Sequence, residues 1–251
     1  MERERKHTPS ALSLPAPAQP CLSVLLFPSS QLIDFYSECL RRLHPGTITI
    51  LDAAAAHLAR SDGGGAAAIA QPLQLATTPS ILIPLNDADP RTPRPPNGAA
   101  VGSHWSLLAF HRPSWSWRHF DSAPGGGGGG GGSAAAAQGL VRALGPWLGG
   151  GGGGDAPPLC TGPPAPAQAN GSDCGLHACL SARAVAGVLS GGGGANGDGD
   201  LWPAADAAVA AAATPAAAAA ARGVLKECIE AAVEAGRAAA QEARWVPPGL
   251  P

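Results

Sequence analysis

Apolar positions along this chain follow two periods, interrupted by stretches with almost no side-chain information. From Leu32 to Leu43 they recur at helical spacing, with Asp34, Glu38, Arg41 and Arg42 between them, which predicts an amphipathic helix. A turn at Pro45-Gly46 leads to a second short helix over Ile48 to Leu58. Pro79 to Leu85 is a short continuous apolar run and reads as a buried strand. Ser103 to Phe110 and Trp115 to Phe120 read as two more strands, with turn chemistry at Arg112-Pro113-Ser114 between them. Gly139 to Leu148 predicts a short helix. Gly175 to Leu189 predicts a longer one, apolar nearly all round and therefore buried. A last helix is expected from Val224 to Ala240, with Glu227, Glu230 and Glu234 on its polar side. Strands and helices in separate blocks imply an α+β fold, a mixed sheet flanked by helices.

The remaining sequence consists mainly of tracts. Gly125–Gly132, Gly149–Gly154, Gly191–Gly194 and the Ala-rich Ala204–Ala221 hold much of the 35 glycines and the alanine excess. A glycine run buries too little surface to offset its backbone entropy, so these tracts are expected to be mobile surface insertions. They fall between the patterned segments, as tolerated insertions do. The resulting division is a disordered lead over 1–20, one domain over 21–240 with low-complexity inserts at 125–132, 149–154 and 191–222, and a tail over 241–251.

Charge and cysteine usage narrow the function classes. The net charge is −2 and the pI about 6.4, which disfavours a nucleic-acid or anionic-membrane binder. No apolar run reaches the ~18 residues needed to span a bilayer. The short apolar run Cys21 to Phe27 and the acid-containing start Met1-Glu-Arg-Glu-Arg-Lys6 disfavour a secretory signal and a transit peptide. The six cysteines, at 21, 39, 160, 174, 179 and 228, form no C-x-x-C pair, so neither a metal site nor a disulfide framework is expected. A reducing compartment, cytoplasm or nucleus, suits them. A monomer without cofactor is expected.

Candidate chemistry gathers at four residues. If the 103–121 hairpin turns about Arg112 and Pro113, His104 faces Asp121. Directly opposed side chains share a sheet face with Cβ atoms about 5 Å apart. The carboxylate would then hold one ring nitrogen and leave the other to exchange a proton. Cys174 opens the 175–189 helix behind Asp173, an N-cap candidate. At a helix start, unpaired N–H groups and the helix dipole favour a thiolate. Gln168, on the loop before it, carries an amide able to donate to an oxyanion. His119 and His177 are rival bases, without a carboxylate placed to orient either. Asn86 and Asp87 end the 79–85 strand, where a plain turn or a partner contact is equally open.

His104-Trp105-Ser-Leu-Leu, Phe120-Asp121-Ser122 and Gln168-x5-Cys174-Gly175 together resemble the ubiquitin-like-protein proteases of the Ulp/sentrin-protease type. Ile83-Pro-Leu-Asn86-Asp87 and Ala165-Pro-Ala-Gln168 are most similar to the deneddylase branch. The resemblance runs discontinuously from Leu22 to Leu189 and implies a papain-like cysteine protease fold. It implies that His104 is the base, Asp121 its orienting acid, Cys174 the nucleophile and Gln168 part of the oxyanion hole. Trp105 would roof the channel for the modifier's diglycine tail, and Asn86 and Asp87 would contact the modifier. The implied activity is hydrolysis at the C-terminal Gly-Gly of a ubiquitin-like modifier, neddylin/Rub in the first instance, with SUMO as the alternative partner. A departure leaves a third reading open: the family's Trp-Leu-Asn-Asp motif is replaced by Phe27-Pro-Ser-Ser-Gln31-Leu-Ile-Asp34-Phe-Tyr36, compatible with a module that binds a modifier without turning it over.

Overall fold

The computed structural model describes residues 30–61, 64–90, 92, 102, 104–123, 131–149, 156–160, 162–163, 165–191, 200–224, 227 and 234. The expected lead over 1–20, the tail over 241–251 and nearly all of the expected 224–240 helix lie outside them. The elements run α1 (Ser30–Leu43), β1 (Thr49–Ile50), α2 (Ala53–Arg60), α3 (Gly65–Ala70), β2 (Ser80–Asn86), β3 (Trp105–His111), β4 (Ser116–Phe120), α4 (Gly131–Leu144), β5 (Leu159–Cys160), α5 (Cys174–Ser190) and α6 (Trp202–Ala212). A further helix, α7 (Pro215–Val224), follows α6 across a 69° bend.

Five strands form one mixed sheet in chain order. The β2–β3 and β3–β4 pairs are antiparallel, and the edge pairs β1–β2 and β4–β5 are parallel. Side chains alternate between faces, and each face supplies a separate core. Ile81, Ile83, Leu85, Leu108, Phe110 and Trp117 pack with α2, α3 and α4. Leu82, Leu107, Ala109 and Phe120 pack with α1, α5 and α6. Covered on both faces, β3 is apolar throughout its middle: Leu107, Leu108, Ala109 and Phe110 are all fully buried. Each such leucine or phenylalanine contributes roughly 1.5–3 kcal/mol.

Three expectations change. The segment expected as a helix over Ile48 to Leu58 is split. Thr49 and Ile50 extend the sheet, and a helix starts only at Ala53, where the Asp52 carboxylate accepts the Ala55 N–H at 2.7 Å. β-branched residues at its start fit a pleated edge better than a helical turn. The Ala-rich 204–221 tract is not a mobile insertion. It forms much of α6 and α7, burying Ala205, Val209, Ala213 and Ala218 to 1% exposure or less. Alanine is the best helix former and lets helices approach closely, so a stripe of it is core wherever a partner face is offered. Glycines 131 and 132 likewise start α4 instead of ending a loop.

The β3–β4 turn is the third. It holds four residues, Arg112 to Trp115, so Leu107 faces Phe120 and Leu108 faces His119. Trp115 sits in the turn at φ 44°, not in the strand. The register differs by two residues from one that sets His104 opposite Asp121. Because the side-chain period is two, the even slip keeps both on one face. Arg112 anchors this turn to its neighbours. Its guanidinium donates to the carbonyls of Thr78 (2.8 Å), Leu148 (2.7 Å) and Leu75 (2.6 Å). Arg112→Met should therefore lower unfolding free energy in urea by about 2–3 kcal/mol, since three carbonyls lose a charged donor.

Candidate active site

The site forms where β3 begins, β4 ends and α5 starts. His104 Nε2 lies 2.6 Å from Asp121 Oδ1, and the two side chains are 14% and 10% exposed. The imidazole also interacts with Cys174, which favours its protonated form. Asp121 together with Cys174 lifts the His104 pKa to about 10, with burial opposing them. The ring therefore holds its proton at neutral pH, and the sulfur faces an imidazolium.

Asp121 is held from three directions. Besides His104, the Ala123 N–H donates to Oδ1 at 2.9 Å, and the Ser133 hydroxyl donates to Oδ2. Burial alone would raise the carboxyl's pKa. The donors, His104 first and Ser133 next, reverse this and bring it down to about 2. Ser133 is buried at the start of α4, immediately after the glycine tract that follows Asp121 in the chain. Sequence reasoning missed it, although a serine ahead of an alanine run is a helix-start signal.

The backbone of His104 is clamped as firmly as its ring. Its N–H donates to Asp87 Oδ1 at 3.0 Å. Its carbonyl accepts from Asp87 N–H at 3.1 Å and from Asn86 Nδ2 at 3.2 Å. Arg60 fixes that corner from α2 through the carbonyls of Asn86 (3.0 Å) and Ala88 (2.9 Å). Gly102 must be glycine: its φ is +110°, and a methyl group there would overlap Asn86 Oδ1. These polar groups of Asn86 and Asp87 are thus engaged with the histidine they precede by 18 and 17 residues.

Cys174 opens α5 and is buried. Asp173 occupies the N-cap position, but its carboxylate makes no cap hydrogen bond, contrary to the capping expected from sequence. Arg222 and Asn170 take it instead. Gln168 is partly buried. Its Oε1 accepts from Ser122 Oγ at 3.0 Å, and its Nε2 donates to the Asn170 carbonyl at 2.6 Å. Its backbone N–H donates to the Ser122 carbonyl at 3.0 Å, so the loop before Cys174 is tied to the residue after Asp121. Trp105, beside His104, is partly buried.

The rival histidines are placed elsewhere. His119 Nε2 meets Ser106 Oγ at 2.9 Å, and burial holds its pKa below the ordinary value despite Asp121 nearby. His177 is buried within α5, and burial again lowers its pKa, against the pull of Asp173. Both rings are neutral at pH 7. Among the described residues no group of three or more His, Cys, Asp or Glu side chains is disposed to hold a metal.

No protein-family model matches the chain. It is 28% identical over 180 residues to NEDD8-specific protease 1 of Arabidopsis thaliana, covering 70% of this chain and 73% of that protein. Its fold is similar to that of the Xanthomonas campestris effector XopD, solved bound to ubiquitin: TM-score 0.51, 21% identity, 81% of this chain and all of that one. The yeast Ulp1 protease domain, solved in complex with Smt3, gives a TM-score of 0.48 at 18% identity, covering 74% of this chain and 76% of that one.

The chain is similar in sequence to a NEDD8-specific protease and in fold to XopD, which agrees with the Ulp-type, deneddylase-like resemblance of its motifs. The mixed sheet flanked by helices is the α+β architecture that the resemblance implied. A sulfur beside an imidazolium that is itself held by a carboxylate is an arrangement able to supply a nucleophile and an acid for a leaving group.

Two pH effects follow. The His104 pKa is raised in the folded state, so its contribution to stability is complete below 6.5 and disappears as pH climbs through about 10. Urea unfolding across that window should show falling stability, and Asp121→Asn should flatten the fall because His104 loses its first partner. Asp121 has the opposite sign: its contribution is complete above 3.8 and disappears as pH drops through about 2. Ser133→Ala removes one donor, so the acid limb of kcat/KM should move to higher pH, with Ser133→Thr restoring it. A pH–rate profile of the three proteins checks this.

Proposed function

We propose that this chain hydrolyses the bond after the C-terminal Gly-Gly of a ubiquitin-like modifier, and that the modifier is neddylin, of the NEDD8/Rub type. The observation carrying this reading is the line Cys174–His104–Asp121 at the sheet's end. The Arabidopsis relative, named for NEDD8, and the deneddylase-like motifs around Asn86, His104 and Gln168 support the choice of modifier.

The chemistry runs in two halves. The Cys174 sulfur, its proton transferred to His104, attacks the glycine carbonyl carbon, and the carbonyl electron pair moves onto oxygen. The Gln168 amide has a second N–H beyond the one bound to Asn170, and this donates to that oxyanion. Collapse breaks the C–N bond, and the His104 imidazolium gives its proton to the departing amine. Neutral His104 then takes a proton from water as the hydroxide adds to the thioester carbonyl, and collapse breaks the C–S bond, returning the Cys174 sulfur as thiolate beside the imidazolium. Asp121 stays ionised throughout and steadies the imidazolium. Trp105, beside His104, covers the tail, for which two glycines without side chains leave room. Asn86 and Asp87 serve substrate binding indirectly, by fixing the His104 backbone.

A panel of neddylin, SUMO and ubiquitin carrying a C-terminal electrophile tests the reading. Neddylin should capture the protein covalently, and Cys174→Ala should abolish capture. Capture that persists in Cys174→Ala would refute the nucleophile. Preferential capture by SUMO or ubiquitin would refute the modifier. On a cleavable precursor, Gln168→Ala should lower kcat by about two orders of magnitude, ~3 kcal/mol, with KM little changed.

A further inference from the structure

Asp173 presents an electrostatic problem. It places a buried carboxylate, 5% exposed, directly before Cys174. An uncompensated negative charge there opposes a thiolate. The fold resolves this from a distant part of the chain. The Arg222 guanidinium, on α7, pairs with Asp173 Oδ1, and the Asn170 amide donates to Oδ2 at 2.8 Å. α7 reaches this position by burying Ala218 against Leu176, one turn into α5, with Leu32, Tyr36 and Leu180 around them.

The pair also heads a continuous chain of hydrogen bonds. Asn170 Oδ1 accepts from the Ser172 N–H (2.8 Å) and hydroxyl (3.0 Å). The Asn170 carbonyl accepts from Gln168, and Gln168 accepts from Ser122, which follows Asp121. Arg222 thus stands at one end of a chain running the length of the loop before the nucleophile.

We propose that Arg222 is a positioning residue for the reaction: it neutralises Asp173 beside the nucleophile and, through Asn170, fixes the loop that carries Gln168. This rests on the reading of Cys174 as nucleophile. The charged and titratable groups at this corner are His104, which interacts with Cys174, and its partner Asp121; Asp173, next to Cys174 in the chain, and His177 near it; and Arg222 of α7, paired with Asp173. Arg222 is the cation among them that does not take part in proton transfer. The low-complexity sequence between α5 and α7 therefore carries the chain to a functional contact.

The test uses Arg222→Gln, Arg222→Lys and Asp173→Asn in the full chain. Iodoacetamide alkylation of Cys174 is followed against pH by peptide mass spectrometry, which separates it from the exposed Cys39. Arg222→Gln should raise the alkylation midpoint by about one pH unit. Asp173→Asn should lower it, and Arg222→Lys should leave it near wild type. Turnover of a neddylin precursor should fall on the order of tenfold or more in kcat for Arg222→Gln, with KM within about twofold, since loop placement and not substrate contact is lost. Midpoints that move in the same direction in Arg222→Gln and Asp173→Asn, or that do not move, overturn the proposal. If Arg222→Gln does not fold, Asp173→Asn must still lower the midpoint below that of wild type and of Arg222→Lys, and a midpoint that is unchanged or raised has the same consequence. A wrong nucleophile gives a different result, full turnover in Cys174→Ala.

Discussion

The 2.6 Å contact between His104 and Asp121 is the interaction on which the site depends, and most of the surrounding structure determines it. A carboxylate buried to 10% exposure favours its neutral form unless donors surround it. Here a backbone N–H from the following turn, a hydroxyl from the next helix and the imidazole all point at it, so it remains an anion. That anion keeps His104 protonated, and the protonated ring faces the Cys174 sulfur. Removing any of these donors weakens every later step, because each charge is stabilised by the one before it. The backbone clamp by Asn86 and Asp87 plays the corresponding part for the ring's position.

The outline of this arrangement was legible in the sequence for a reason that tolerates error. Centring the hairpin on Arg112 and Pro113 misses the observed register by two residues, because Trp115 belongs to the turn at a left-handed φ that its side-chain type does not advertise. An even slip leaves His104, Ser106, His119 and Asp121 on one face, whereas an odd slip would have separated imidazole from acid. The start of α5 was legible for a similar reason: Asp-Cys-Gly before a long apolar run has few alternatives. The destination of the Asp173 carboxylate was not, since its partner lies 49 residues away on another helix.

Illegible elements share one physical cause. Ser133, α6, α7 and Arg222 all lie in or beside sequence whose composition suggests disorder. Composition measures how much surface a segment brings, not how much its neighbours offer. The α6 and α7 alanines bury themselves because Trp202 and Val209 anchor their helix in a cavity left by the sheet and α5. Trp202 is further fixed by its indole N–H, which donates to Ser116 Oγ at 2.7 Å. Asp206, between them, pairs with the Arg118 guanidinium on β4, which accounts for a charge within an otherwise uniform tract. A few informative residues at wide spacing decide the fate of the alanines around them.

That spacing constrains where insertions are tolerable. The Gly125–Gly132 run separates Asp121 from Ser133 in the chain, yet the two side chains meet, so the sequence between them need only join ends that the fold already holds together. Loop-closure cost grows only with the logarithm of length, so extra glycines there cost little. The 192–199 stretch is under the same condition, bounded by α5 on one side and by Trp202 on the other. Each tract is thus bracketed by residues that position the site, Ser133 after the first and Arg222 beyond the second. Length can vary freely between such fixed points, while a change at a fixed point takes a partner from Asp121 or from Asp173.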